Sequence, residues 1–271
     1  MIVAHHIPRP PLSAFVKVFW YWDSYLQPHA KERLLPDGCM TLVFNLSEER
    51  THTSRNERCA SSMPSQVISG ARSRYFEVET SNMVCTLGVQ FQPGGAFPFF
   101  HIPACELDDQ CVALEDVYGS AARSIRARLL DAPTPEDKFR TVEQWLLSRL
   151  AKPLEHHPAV HYATAQIVRN PIAQSVSRLV ESIGFSQRHF NRLFAAQVGL
   201  TPKLFSRVRR FQRVIASIGS RDRVDWADLA LDCGYYDQAH FVHDFRSFSG
   251  LTPAAYLEQR SPHLNHVPIL D

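Results

Sequence analysis

Apolar residues cluster in short β-like runs over the first hundred positions and recur at spacings of three and four thereafter. Phe15–Trp22 (FVKVFWYW) is aromatic and β-branched, and Cys39–Leu46 (CMTLVFNL) follows the turn signal Pro36-Asp37-Gly38, so both predict strands. Arg74–Thr80 (RYFEVET) and Val84–Phe91 (VCTLGVQF) predict two more, pairing as a hairpin across Ser81-Asn82, after which Pro93-Gly94-Gly95 breaks the sheet. Ser47–Ser65 is polar and predicts a mobile surface loop. Helical spacing follows. Gly119–Leu130 carries Ile125, Leu129 and Leu130, and Thr134-Pro135-Glu136-Asp137 is a capped helix start. Phe139, Val142, Leu146 and Leu150 then form a stripe with Trp145 beside it. Ala151–Pro158 has two prolines and no periodicity, which places a seam between a domain at 1–155 and another at 158–260.

Beyond the seam the pattern is helical and repeats itself. Ser186–Pro202 (SQRHFNRLFAAQVGLTP) and Asp237–Pro253 (DQAHFVHDFRSFSGLTP) lie 51 positions apart and share eight of seventeen residues. With Ser186 as a cap, Phe190, Leu193 and Phe194 fall on one face, and Arg188, Asn191, Arg192 and Ala195 on the other. Upstream, Ser175–Ile183 predicts a helix with Val176, Leu179, Val180 and Ile183 inward, ended by Gly184. Two short helices joined by a glycine turn, the second basic, predict a helix-turn-helix over about 175–198. The second copy, over about 226–249, has Leu229 and Ala230 inward, Gly234 at its turn and Asp237 as cap. It buries Phe241, Phe245 and Phe248 and exposes Gln238, Ala239, His240 and His243. Between the units Pro202–Ile218 predicts a connecting helix with Leu204, Val208, Phe211, Ile215 and Ile218 buried and Gly219 at its end. A connector of about 24 Å permits two recognition helices about 34 Å apart, one turn of B-DNA.

Charge sharpens this picture. The formal net charge is only +2, but residues 1–155 carry 16 basic against 18 acidic side chains, and residues 156–271 carry 13 against 9. Ser186–Arg213 holds seven basic residues (Arg188, Arg192, Lys203, Arg207, Arg209, Arg210, Arg213) and no acid, a single-sign stretch that suits a polyanion. The second unit has more acids than bases, and Asp244 stands beside His243, so the first unit is expected to anchor DNA and the second to add a weaker contact.

The span from Ala159 to Gln259, and above all DLALDCGYYDQAHFVHDFRSFSGLTPAAY, resembles the DNA-binding domain of AraC/XylS-type bacterial transcription regulators. The resemblance implies that Arg188, Asn191 and Arg192 approach bases in the first unit, and Gln238, Ala239, His240 and His243 in the second. Ser186, Gln187 and His189 match positions facing backbone or groove edge, and Arg209 joins the DNA-binding set from the connector. LLPDGCMTLVFNL and LGVQFQPGGAFPFF look like a sensor half of the same family, which implies a β-rich, cupin-like effector-binding or dimerising domain. The fold class expected is therefore α+β, with a β-rich half, trailing helices and an all-α C-terminal domain.

Trp20, Trp22, Phe44 and Phe91 are the candidate lining of an effector pocket, with core packing the simpler role for any one of them. His156, His157 and His161 lack metal-ligand spacing, and the six cysteines form no CxxC pair. No P-loop, GxSxG or HExxH motif occurs, so no catalytic residue, metal or cofactor is expected. The alternative is a metal-dependent cupin-type enzyme fused to a DNA-binding module, although the HxH signature is missing. No run nears the roughly 20 apolar residues of a membrane span, and the N-terminus lacks an export signal. The expected setting is cytoplasmic, with double-stranded DNA, a small-molecule effector, RNA polymerase and a second copy of the chain as candidate partners.

Overall fold

The computed structural model describes residues 1–24, 29–47, 50–51, 63–80, 83–100, 102–150, 153–172, 176–219 and 223–269. Its strands are β1 (Ile2–His6), β2 (Val16–Asp23), β3 (Lys31–Leu34), β4 (Thr41–Asn45), β5 (Arg50–Thr51), β6 (Met63–Pro64), β7 (Gln66–Ser69), β8 (Phe76–Glu79), β9 (Cys85–Phe91), β10 (Cys111–Ala113) and β11 (His266–Ile269). The α-helices are α1 (Leu114–Tyr118), α2 (Ser120–Asp131), α3 (Pro135–Ser148), α4 (Pro158–Arg169), α5 (Val176–Ile183), α6 (Gln187–Val198), α7 (Pro202–Ile218), α8 (Trp226–Asp232), α9 (Gln238–Ser249) and α10 (Pro253–Gln259). Strands thus precede helices except at the C-terminal end, an α+β arrangement.

An antiparallel sheet runs in the order β1-β2-β9-β4-β7-β10. Because side chains alternate along a strand, its register sorts the aromatics by face. Phe19 pairs with Val89, Val89 with Leu42 and Leu42 with Ile68, while Tyr21, Leu87 and Phe44 make the adjoining row. All seven are buried. Helix α3 covers this face, and α2 packs against α3. Phe139 lies 6.2 Å from Phe19 and Trp145 lies 6.4 Å from Phe44, ring centre to ring centre. Thr134 caps α3 by accepting from the Asp137 amide, as its sequence predicts. Lys138, almost wholly buried, donates to the carbonyls of Leu129 and Ala132 and so closes the C-terminal end of α2. Leu130 and Leu150 are exposed despite the stripes assigned to them, and Leu150 lies beyond the end of α3.

The expected hairpin between Arg74–Thr80 and Val84–Phe91 does not form. Strand β8 pairs with β3 in a separate sheet of order β11-β3-β8, whereas β9 lies between β2 and β4. The cause is visible in the residues. Strand β9, Gln90 apart, is apolar or small on both faces and suits a sheet centre, while β8 alternates Phe76 and Val78 with Glu77 and Glu79 and suits a half-solvated position. Ser81 and Asn82, and most of the loop expected over Ser47–Ser65, lie outside the described residues.

The two halves are packed together. His157 caps α4, and its neighbour His156 stacks on Phe15 at 4.2 Å and bonds the Ala14 carbonyl, so the seam segment is pinned to the N-terminal half. From α7, Phe205 packs on Gly38, Gln212 donates to the Pro36 carbonyl at 2.7 Å, and Arg209 donates to the Asp37 carbonyl at 3.2 Å.

Candidate DNA interface

Each unit is built as local signals dictate. Helices α5 and α6 meet at Gly184, and α8 and α9 at Gly234, both glycines left-handed. Ser186 accepts from the His189 amide and Asp237 from the His240 amide, so α6 and α9 begin on the same kind of cap. Phe190 and Phe194 in the first unit, and Phe241, Phe245 and Phe248 in the second, are buried. Phe194 packs on Phe205 of the connector, and Phe211 packs on Phe245 and Phe248, so α7 shares a core with each unit.

The N-terminal ends of α6 and α9 are open to solvent. Ser186, Gln187, Arg188, His189 and Arg192 are exposed, with Asn191 half-buried. Gln187 donates to the Asn191 carbonyl oxygen at 2.8 Å, which turns the Asn191 amide so that its own N–H groups remain available to a base edge. In the second unit Gln238, Ala239, His240 and His243 are exposed. Gln238, Ala239 and His243 line one shallow concavity together with Val242, Arg246 and Ser247. Sequence reasoning passed over Arg246, although it sits three residues after His243 on the same helix face. It also passed over Tyr236, 87% exposed in the turn before α9.

The basic stretch divides once the fold is known. Arg188, Arg192, Lys203 and Arg213 are exposed. Arg207 instead forms a two-point ion pair with Asp244, at 2.6 and 3.4 Å. Arg210 lies over the Tyr235 ring. Arg209, assigned to DNA from the sequence, is half-buried and turned to Asp37 of the N-terminal half, because α7 has one face against that half. The same geometry changes the reading of Asp244. It is buried under Arg207, with the rings of His240 and His243 each 3.9 Å from its carboxylate, so the contrast in charge between the two units is smaller than composition implies.

The proposed effector lining does not assemble. Phe44 and Phe91 are buried, with Phe91 packed on Phe99 and Phe100. Trp20 and Trp22 occupy the alternate positions of β2, on the opposite face of the sheet, with ring centres 4.6 Å apart. No group of three His, Cys, Asp or Glu side chains that could hold a metal ion occurs among the described residues. No described helix is long and apolar enough to cross a membrane.

Residues 179–259 match a family described as a helix-turn-helix domain, and residues 4–113 one described as a domain of unknown function (DUF6597). The chain is similar to an uncharacterized HTH-type transcriptional regulator, SAR0107, of Staphylococcus aureus (strain MRSA252), at 25% identity over 154 residues. That match takes in 51% of this chain but only 20% of the relative's length. Among solved structures it is similar to ToxT from Vibrio cholerae in its P21 form, with a TM-score of 0.44, 9% identity and coverage of 95% of this chain and 97% of that one. It is also similar to ToxT from Vibrio cholerae O395 bound to (E)-4-(8-methylnaphthalen-1-yl)but-3-enoic acid, with a TM-score of 0.42, 9% identity and coverage of 94% and 97%. These likenesses are loose in both identity and superposition. With two capped helix pairs about a shared connector, residues 179–259 of the chain form an AraC-type helix-turn-helix domain.

Proposed function

We propose that the protein is a sequence-specific DNA-binding transcription regulator that reads two successive major-groove segments under the control of a small molecule bound by its N-terminal half. One observation carries the DNA reading: two capped helices of one repeated motif present their polar first turns to solvent while their aromatic faces are sealed against one connector. Helices so presented enter the major groove by their N-terminal residues. Arg188 and Arg192 suit guanine, Asn191 suits adenine, and Gln238, Ala239, His240 and His243 take the second segment. Ser186, Gln187 and His189 serve the groove edge and backbone.

The test starts from duplexes selected by the purified protein from a random pool. Arg192→Ala is expected to weaken binding to the selected duplex by about 1–3 kcal/mol, the usual size of one base-reading contact, with a much smaller loss on unrelated DNA. Equal losses on both duplexes would reassign Arg192 to phosphate. A protein that selects no sequence at all would remove the reading. Effector control is tested by a thermal-shift screen of metabolites, since a ligand of the folded state raises the melting temperature. A hit must disappear in protein lacking residues 1–155. Sedimentation with and without DNA shows whether two copies assemble on one site.

A further inference from the structure

The C-terminal segment does not stop at the helix-turn-helix domain. After α10 it crosses back to the N-terminal half, where His263 and His266 flank Trp22 at 6.5 and 6.3 Å. There β11 pairs antiparallel with β3, from His266 opposite Leu34 to Ile269 opposite Lys31. The Leu35 amide donates to the Asn265 carbonyl, which extends the ladder by one step. That bond sets the alternation of the ladder, so Pro268, opposite Glu32, lacks its N–H where none is needed. Val267 is buried. Glu32, also buried, takes hydrogen bonds from His266 at 2.9 Å and from His29 at 3.4 Å. Without β11, β3 and β8 would be a two-stranded ribbon of four residues a side, which is marginal in water.

The same small sheet grips the second unit elsewhere. The Tyr75 amide donates to the Phe248 carbonyl and Arg33 to the Ser249 carbonyl, at the C-terminal end of α9. Gln212 of the connector bonds Pro36 and Asn265 together, one on each side of the β3–β11 ladder. The Tyr256 hydroxyl holds the Leu264 carbonyl at 2.8 Å, which ties the root of the segment to α10.

We propose that residues 261–269 are an intramolecular strap: β11 completes the β3–β8 sheet and thereby locks the DNA-binding domain onto the N-terminal half, and its pairing with β3 sets how DNA binding and the N-terminal half influence each other. The strand site on β3 is the receptor and the chain's own C-terminal segment is its ligand. The influence on DNA rests on the DNA-binding reading above, whereas the lock itself does not.

The experiment uses full-length protein and two variants. Val267→Asp puts a charge into the buried position of β11. Lys31→Cys with Ile269→Cys places two thiols on facing residues at the strand end, a separation that a disulfide spans, without touching Glu32, His266 or any recognition residue. Hydrogen exchange of Lys31–Leu34 and Phe76–Glu79 is expected to rise about tenfold or more in Val267→Asp while α6 keeps its protection. Oxidising the double-cysteine variant is expected to slow exchange in the same strands. Affinity for the selected duplex is expected to differ by about fivefold or more between its oxidised and reduced forms. Unchanged exchange in β3 and β8 overturns the strap, and equal affinities of the two redox forms overturn its coupling to DNA. Should Val267→Asp fail to fold, the oxidised and reduced forms decide alone. If exchange behaves as expected but no form binds DNA, the lock is upheld and the DNA reading is what fails.

Discussion

Replacing Arg207 with alanine is expected to harm the second helix-turn-helix unit more than replacing its partner Asp244. The Asp244 side chain is 2% exposed and the Arg207 side chain 34%. The guanidinium also lies 5.3 Å from the Phe248 ring centre. At an effective dielectric constant of about 20, charges about 4 Å apart attract by about 4 kcal/mol, and desolvating the carboxylate takes back most of that. The intact pair is therefore close to neutral in net terms, and the damage lies in what a deletion leaves behind. Arg207→Ala strands a carboxylate out of reach of water, with only the more exposed rings of His240 and His243 within 3.9 Å to compensate it, at an expected cost of about 2–4 kcal/mol; full burial of both partners would give 3–5. Asp244→Ala leaves a guanidinium that reaches solvent by rotating, and about 1–2 kcal/mol is expected. Trp226 reports on this unit, because it stacks on Phe241 at 6.1 Å and is the sole tryptophan beyond Trp145. Urea unfolding followed by the signal lost in a Trp226→Phe background measures both variants. If Asp244→Ala proves the more damaging, or if both cost under about 0.5 kcal/mol, the pair does not hold α9 to α7 as described.

Phe194→Ala and Phe245→Ala should each cost about 3–5 kcal/mol, because both side chains are fully buried in aromatic clusters; unchanged melting of both would refute the shared-core account. Gly250 has φ of 71°, and a Cβ there would meet the Tyr75 ring at 2.5 Å, so Gly250→Ala should loosen the contact between α9 and the N-terminal half, seen as faster exchange at the Tyr75 amide. Burial pushes the Glu32 carboxyl up, but hydrogen bonds and charge from His266 and then His29 outweigh it and hold the group below its ordinary range. A depressed carboxyl contributes stability above its unfolded pKa and loses it as pH falls through the folded value. Melting temperature should therefore fall on acidification below about pH 4.5, less steeply in Glu32→Gln than in the parent, and parallel curves would show that Glu32 does not clasp the strap.

Much of the DNA-binding half was legible because its signals are local. Ser186 and Asp237 are caps whose bonds reach only three residues ahead, and the phenylalanines of α6 and α9 recur at helical spacing. The predicted connector and α7 share their ends, Pro202 and Ile218, because Thr201, Pro202 and Gly219 punctuate it without help from elsewhere. What failed was whatever depends on a partner distant in sequence. RYFEVET was recognisable as a strand, but its neighbour is Lys31–Leu34 rather than the strand that follows it, since pairing is decided by two faces meeting in space. His266–Ile269 carries no strand signal of its own and becomes one only because β3 offers an open edge. Seven basic residues could be counted from Arg188 to Arg213, yet composition carries no direction. Packing turned Arg207 to Asp244, Arg209 to Asp37 and Arg210 to Tyr235, and left Arg188 and Arg192 exposed. The identity and polarity of each helix were thus set by short-range chemistry, while which charges remain free to bind was decided only when the halves closed on each other.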